Sequence, residues 1–204
     1  MKKLLRIFEY IIIKIEQKIF NLILQKRFKK EMTIISSNCV GTRIYQSAKK
    51  EYKSPTINLW FNPKDFIKFT EHLQFYLNQD LTEYSDPKKD YPCGKLADLT
   101  IFFQHYSNFE EAKNKWEKRK KRILFDNILT IFTDRDGATV NDIKRIAKQK
   151  NVIIFCSFDK RQYFKSESNI IFVNGSIGQV GDLYSNYHKM LYNFPFREVF
   201  KNEK

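Results

Sequence analysis

"NILTIFTDRDGATVNDIKRIAKQKNVIIFCS", residues 127–157, decides the fold. A β-favouring run from Asn127 to Thr133 ends in a turn at Asp136-Gly137. Ile143, Ile146 and Ala147 then recur at helical spacing, and a second apolar run begins at Val152. Strand, turn, amphipathic helix and strand in this length predict a right-handed βαβ crossover and hence a parallel strand pair. Working outward, further apolar runs at 32–36, 57–61, 98–103 and 169–173 read as strands. Helical patterns lie near 41–50, 63–78, 109–122 and 181–193. Alternation of this kind predicts an α/β fold: a Rossmann-like open, mostly parallel sheet with helices on both faces. One such domain spans 32–204, behind a basic amphipathic helix at 1–31.

In open α/β sheets, ligands bind outside the carboxyl ends of the strands. The residues that follow the proposed strands are Ser37-Asn38-Cys39, Gln104-His105-Tyr106, Asp134-Arg135-Asp136, Ser157 and Asn174-Gly175, so chemistry is expected to gather along that edge. Cys39 sits where a helix begins, and a helix N-terminus favours a thiolate. His105 would serve as its base, or as a general base in its own right. Asn38, Ser37 and Gly41 would line a ligand, with Asp134, Arg135 and Asn174 nearby. Each has a plainer reading: a small buried cysteine, a hydrogen-bonded core histidine, acidic helix caps, a flexible glycine turn in "NGSIGQVGD" (174–182). A serine nucleophile lacks a G-x-S-x-G elbow. Neither a Walker A motif nor G-x-G-x-x-G occurs.

The three cysteines follow no metal-ligand spacing and the three histidines are dispersed, so neither a disulfide framework nor a zinc site is expected, and a reducing cytoplasmic setting fits. Net charge is +14 over 204 residues, which points to anionic partners without naming them. The basic run "KNKWEKRKKR" (113–122) reads as a solvated helix face, and with no recognised nucleic-acid module specific nucleic-acid binding is not expected.

Residues 1–31 carry nine Lys/Arg against three Glu. Lys14, Glu16 and Lys18 interrupt the apolar run, which argues against a signal peptide or a spanning helix. Leu5, Phe8, Ile12, Ile15, Ile19 and Leu22 recur at steps of three and four, one apolar stripe of a helix. That stripe packs either on its own domain or a second copy, or on anionic lipid at the inner membrane face.

The phrases "SSNCVG" (36–41), "SPTINLW" (54–60), "DFIKF" (65–69), "YPCGKLADLTIFFQHY" (91–106) and "EEAKNKWEKRKKRI" (110–123) together resemble a bacterial domain-of-unknown-function family often labelled exopolysaccharide biosynthesis protein. The resemblance runs from about 32 to 195 and leaves the arm outside it. Asn38-Cys39 also looks like a strand end in capsule proteins thought to bind coenzyme A and transfer acetyl groups, although Val40 stands where those proteins tend to have Gln. The resemblance implies surface-glycan biosynthesis: an acyl- or glycosyl-type transferase with a phosphate-bearing donor, coenzyme A or a nucleotide sugar, and a glycan acceptor. The alternative is a non-catalytic scaffold of a polysaccharide assembly complex.

Overall fold

The computed structural model describes residues 2–165 and 167–200, so the outermost ends of the two expected units, residue 1 and residues 201–204, lie outside the described residues. In chain order the elements are α1 (Lys2–Arg27), β1 (Thr33–Ser36), α2 (Val40–Ala48), β2 (Trp60–Phe61), α3 (Pro63–Glu71), α4 (Leu73–Leu77), β3 (Leu81–Tyr84), β4 (Cys93–Leu96), β5 (Leu99–Phe102), α5 (Phe109–Lys120), β6 (Ile128–Thr133), α6 (Val140–Ile146), β7 (Val152–Ser157), β8 (Ile170–Val173) and α7 (Phe196–Val199), with short 3-10 turns at Phe158–Tyr163 and Tyr187–Met190.

β1, β6, β7 and β8 form a parallel sheet in that order. The 127–157 crossover is its centre. Local chemistry explains the helix there: Thr139 and Asp142 form a reciprocal capping box at the start of α6, satisfying two backbone donors. Asp134 and Asp136 are therefore not the caps.

Runs 57–61 and 98–103 do not join the parallel sheet, which corrects the expectation for them. Only Trp60–Phe61 and Leu99–Phe102 are strands, and they lie in a second, antiparallel sheet of order β2-β5-β4-β3. The cause is a tight hairpin: Leu96 pairs with Leu99 across Ala97-Asp98, and Ala97 takes a left-handed φ of 53°. A two-residue connection of this kind turns the chain straight back on itself. Two other helical expectations also change. The 63–78 pattern divides into α3 and α4 at His72, and 181–193 contains turns and the Tyr187–Met190 turn in place of a helix.

Side chains alternate across the parallel sheet. Ile35, Phe132, Ile154 and Cys156 face a core shared with α3, α5, α6 and the antiparallel sheet. Ile34, Ile131, Ile153 and Phe155 face a second core built with α2 and the C-terminal segment. α1 joins that second core only through its last turns. Phe20 meets Tyr187 and Phe196 at 5.5 and 5.6 Å, Leu24 is fully buried, and Phe28 stacks on Phe200 at 5.0 Å. The parallel strands are neighbours in chain order, so the sheet has no reversal of strand order, the feature that opens the ligand crevice of doubly wound sheets.

Candidate functional site

The Ser-Ser-Asn-Cys segment at the end of β1 is first a joint. Ser37 Oγ accepts from the Thr133 amide at 3.3 Å, and Asn38 Nδ2 donates to Thr133 Oγ1 at 2.7 Å, tying β1 to β6. Ser36 Oγ accepts from the Gly41 amide at 3.2 Å, and Asn38 Oδ1 from Val40 at 3.3 Å. Two amides at the start of α2 that an anion would seek are thus already engaged. Gly41 is small because α2 crosses β1 closely: a Cβ there would stand 2.8 Å from Ser36 Cβ. Ser37 and Gly41 belong to the packing of that joint, which corrects their expected place against a ligand.

Asp134 is likewise structural. Its Oδ2 accepts from the Ser157 amide at 2.9 Å, Ser157 Oγ at 2.7 Å and Lys160 Nζ at 2.6 Å, and its Oδ1 accepts from the Val180 amide at 2.7 Å. The side chain is fully buried. Both oxygens are occupied, so it offers nothing to a ligand. It anchors the segment after β8 to the ends of β6 and β7.

A cavity of about 460 Å³ opens beside this hub, lined by Asn38, Cys39, Trp60, Tyr91, Gln104, His105, Arg135, Asp136, Asp182, Tyr184 and Ser185. It brings together Asn38, Cys39, His105 and Arg135 and leaves out Asn174, which is exposed on its turn. The antiparallel sheet supplies His105: β5 is not part of the parallel sheet, yet it delivers its end to the same place. A larger cavity of about 680 Å³ lies at the opposite end of the parallel strands, between Met32, Asn127, Asn151 and the C-terminal segment. It holds none of the sequence-derived candidates.

The walls are aromatic. Trp60 stacks on Phe102 at 4.0 Å with 13° between planes, and Lys89 Nζ stands 5.3 Å from the Trp60 ring and 5.7 Å from Tyr91. Tyr184 stacks on His105 at 6.5 Å and is held from behind by Arg43, whose guanidinium lies 4.1 Å from the ring while Nε donates to the Tyr184 carbonyl at 2.9 Å. Arg135 contributes charge. Its Nη1 is 3.8 Å from Asp182 Oδ1, a loose pairing, and its buried Nε has no hydrogen-bond partner. Burial raises the Asp182 carboxyl, but bonds from Ser185 and Tyr184 together with Arg135 outweigh it and hold the group below its ordinary value.

Cys39 differs chemically from its expectation. Burial, reinforced by Asp182 and opposed by Arg135, pushes its thiol from 9.0 up to about 12, and Sγ lies 4.0 Å from the Leu59 carbonyl oxygen. The dipole of α2 does not overcome that desolvation, so at neutral pH the group is a thiol. We expect Cys39 to alkylate in the native protein on the order of 30- to 100-fold more slowly than an ordinary cysteine at pH 8, since only thiolate reacts and the greater nucleophilicity of a high-pKa thiolate offsets part of its lost population. Mass spectrometry after iodoacetamide labelling reads this directly, and rapid modification at Cys39 would refute it. The sign of the stability effect follows. The unfolded thiol ionises above 9.0 and the folded one only near 12, so stability falls as pH rises through that window.

Trp60, Tyr91, Asp182 and Tyr184 line the cavity without being among the sequence-derived candidates. Asp182 ends the glycine-rich 174–182 stretch, and Trp60 and Tyr91 stand at the ends of the phrases 54–60 and 91–106, whereas Tyr184 carries no signal in the sequence. Among the described residues no group of three or more His, Cys, Asp or Glu is placed to hold a metal ion.

Comparison with known proteins adds a family. The profile of DUF1919, a domain of unknown function, matches residues 11–198. The chain belongs to this family. The match begins at residue 11, so most of α1 lies within the family's extent, farther toward the N-terminus than the quoted phrases reach. A Haemophilus influenzae protein described as uncharacterized is 37% identical over 169 residues, 80% of either chain. All the residues that line the 460 Å³ cavity fall inside the stretch the family covers.

Proposed function

We propose that this DUF1919 chain is a transferase of surface-glycan biosynthesis, and that its cavity takes a ring-bearing donor with a phosphate or diphosphate, a nucleotide sugar in particular. The observation that carries the reading is Arg135. A guanidinium with a buried, unused Nε in an aromatic-lined cavity suits a planar-forked contact to phosphate oxygens. Trp60, Tyr91 and Tyr184 offer faces for a base or a sugar ring. The volume falls within the range of small-molecule sites.

The chemistry is read as direct glycosyl transfer from donor to acceptor, in which the protonated Cys39 has no part as a nucleophile. His105, exposed at the cavity, takes the proton from an acceptor hydroxyl. The hydroxyl oxygen bonds to the anomeric carbon, and the bond from that carbon to the phosphate oxygen breaks. The electron pair leaves on the nucleotide, where Arg135 and Lys89 offset the charge. The resemblance in the sequence phrases supports the glycan context.

A melting-temperature panel of nucleotide sugars, coenzyme A and acetyl-coenzyme A tests this. A fitting donor at a hundredfold its dissociation constant stabilises by about 2.7 kcal/mol. Arg135→Gln is expected to abolish the shift. His105→Ala is expected to keep the shift and to lose turnover. A shift with coenzyme A alone would redirect the reading to acyl transfer, and no shift with any donor would favour the scaffold alternative.

A further inference from the structure

α1 has two faces, and the domain uses the less obvious one. Phe20 and Leu24 turn toward the protein, with Phe28 just beyond the helix end. At one hundred degrees per residue, the stripe Leu5, Phe8, Ile12, Ile15, Ile19 and Leu22 falls on roughly the opposite side. Those six side chains are 58, 63, 40, 53, 42 and 56% exposed, and Leu4, at 73%, and Ile11, at 48%, widen the arc. Together they leave on the order of 800 Å² of apolar surface uncovered, beyond the largest patch of a typical monomer. Self-packing therefore does not account for the stripe.

We propose that α1 lies in the plane of an anionic membrane, with this arc among the acyl chains. Lys14 and Lys18 run along one edge of the arc and Lys26 stands at its C-terminal end, positions from which long side chains reach headgroups. Glu9 and Glu16 run along the other edge, where Glu16 accepts from Tyr192 Oη at 2.9 Å. Tyr192 is itself 75% exposed beside the helix, and tyrosine suits the headgroup level. No described helix is long and apolar enough to cross a membrane, so the contact is surface-parallel.

A second copy fits less well. The stripe follows a heptad, but parallel pairing sets Leu4, Ile11 and Lys18 against Glu9, Glu16 and Ile23, with no ion pair, and stacks Lys26 on itself. Antiparallel pairing brings Glu9 to Glu16. Leu4 and Ile11 also make the arc broader than a two-position seam.

Flotation of the full chain with phosphatidylcholine vesicles, with and without phosphatidylglycerol, is the test. Binding is expected only with the anionic lipid, falling as salt rises. Lys14→Gln with Lys18→Gln is expected to lower the partition coefficient about thirtyfold. Ile12→Asp with Ile15→Asp, both exposed, is expected to abolish flotation while the melting temperature stays unchanged. No flotation, or flotation that survives the aspartates, overturns the proposal. A lipid-free dimer that the aspartates split would assign the stripe to a second copy and overturn it as well.

Discussion

Asp134→Ala is expected to cost about 3–5 kcal/mol, the penalty for leaving a buried charge partner stranded. The loss is not confined to the ion pair. Lys160, which would keep only the Gly178 carbonyl, the Ser157 amide and hydroxyl, the Cys156 thiol and the Val180 amide would all lose the carboxylate together. For a chain of this size the melting temperature should fall by roughly 6–20 °C. Asp134→Asn, which retains one acceptor but presents an amide to Lys160, should fall between wild type and Ala. Urea unfolding of the three proteins reads the series. A change below about 1 kcal/mol for Ala would mean that the hub is dispensable, contrary to its hydrogen bonds. Val180 lies two residues before Asp182, so the Ala protein should also lose the cavity wall and with it any donor-induced shift.

Trp116→Ala is the second large effect, about 3–5 kcal/mol. Trp116 is the largest fully buried side chain, on α5, and its ring lies 6.0 Å from Phe69. It joins α5 to α3, and α3 carries the core between the two sheets. Its Nε1 has no partner, so the ring contributes by shape and area alone. Trp116→Phe should therefore cost under about 1.5 kcal/mol, because it keeps most of the volume and removes the orphaned donor. Equal losses for Ala and Phe would show that the indole N–H matters and that packing is not the cause.

The crossover from β6 through α6 to β7 is legible because both strand runs are rich in β-favouring residues and Ile143, Ile146 and Ala147 recur at helical spacing between them. The antiparallel layer is not. β3 reads Leu-Thr-Glu-Tyr with only Leu81 buried, the look of a loop, and β4 contains Gly94, whose missing Cβ makes room for Phe103 and Phe109. Ala97-Asp98 has neither the glycine nor the asparagine that signals a tight hairpin, so the direction of β5 is hidden. Of the cavity's lining, strand-end topology finds Asn38, Cys39 and Arg135, whereas His105 reaches it from the antiparallel sheet for a reason that topology did not contain. Topology cannot distinguish Asp134, turned inward, from Arg135, turned to the cavity, because that depends on Lys160 and Val180 far along the chain. The Cys39 thiol misleads for a similar reason: helix position is local, and desolvation is a tertiary property.

The place of β1 in the sheet has a consequence for synthesis. Thr33 pairs with Ile128, ninety-five positions later, so β1 leaves the ribosome long before its only sheet neighbour exists. At ordinary elongation rates of about 5–20 residues per second the delay is roughly 5–20 s. Throughout it, four strand residues that are wholly buried in the finished protein stand open, directly behind the apolar stripe of α1. The antiparallel layer between them is complete first, and β1 gains its sheet partner only when β6 arrives. The nascent chain therefore carries its most adhesive segment from the start, and where that segment rests while it waits becomes part of how the protein is made.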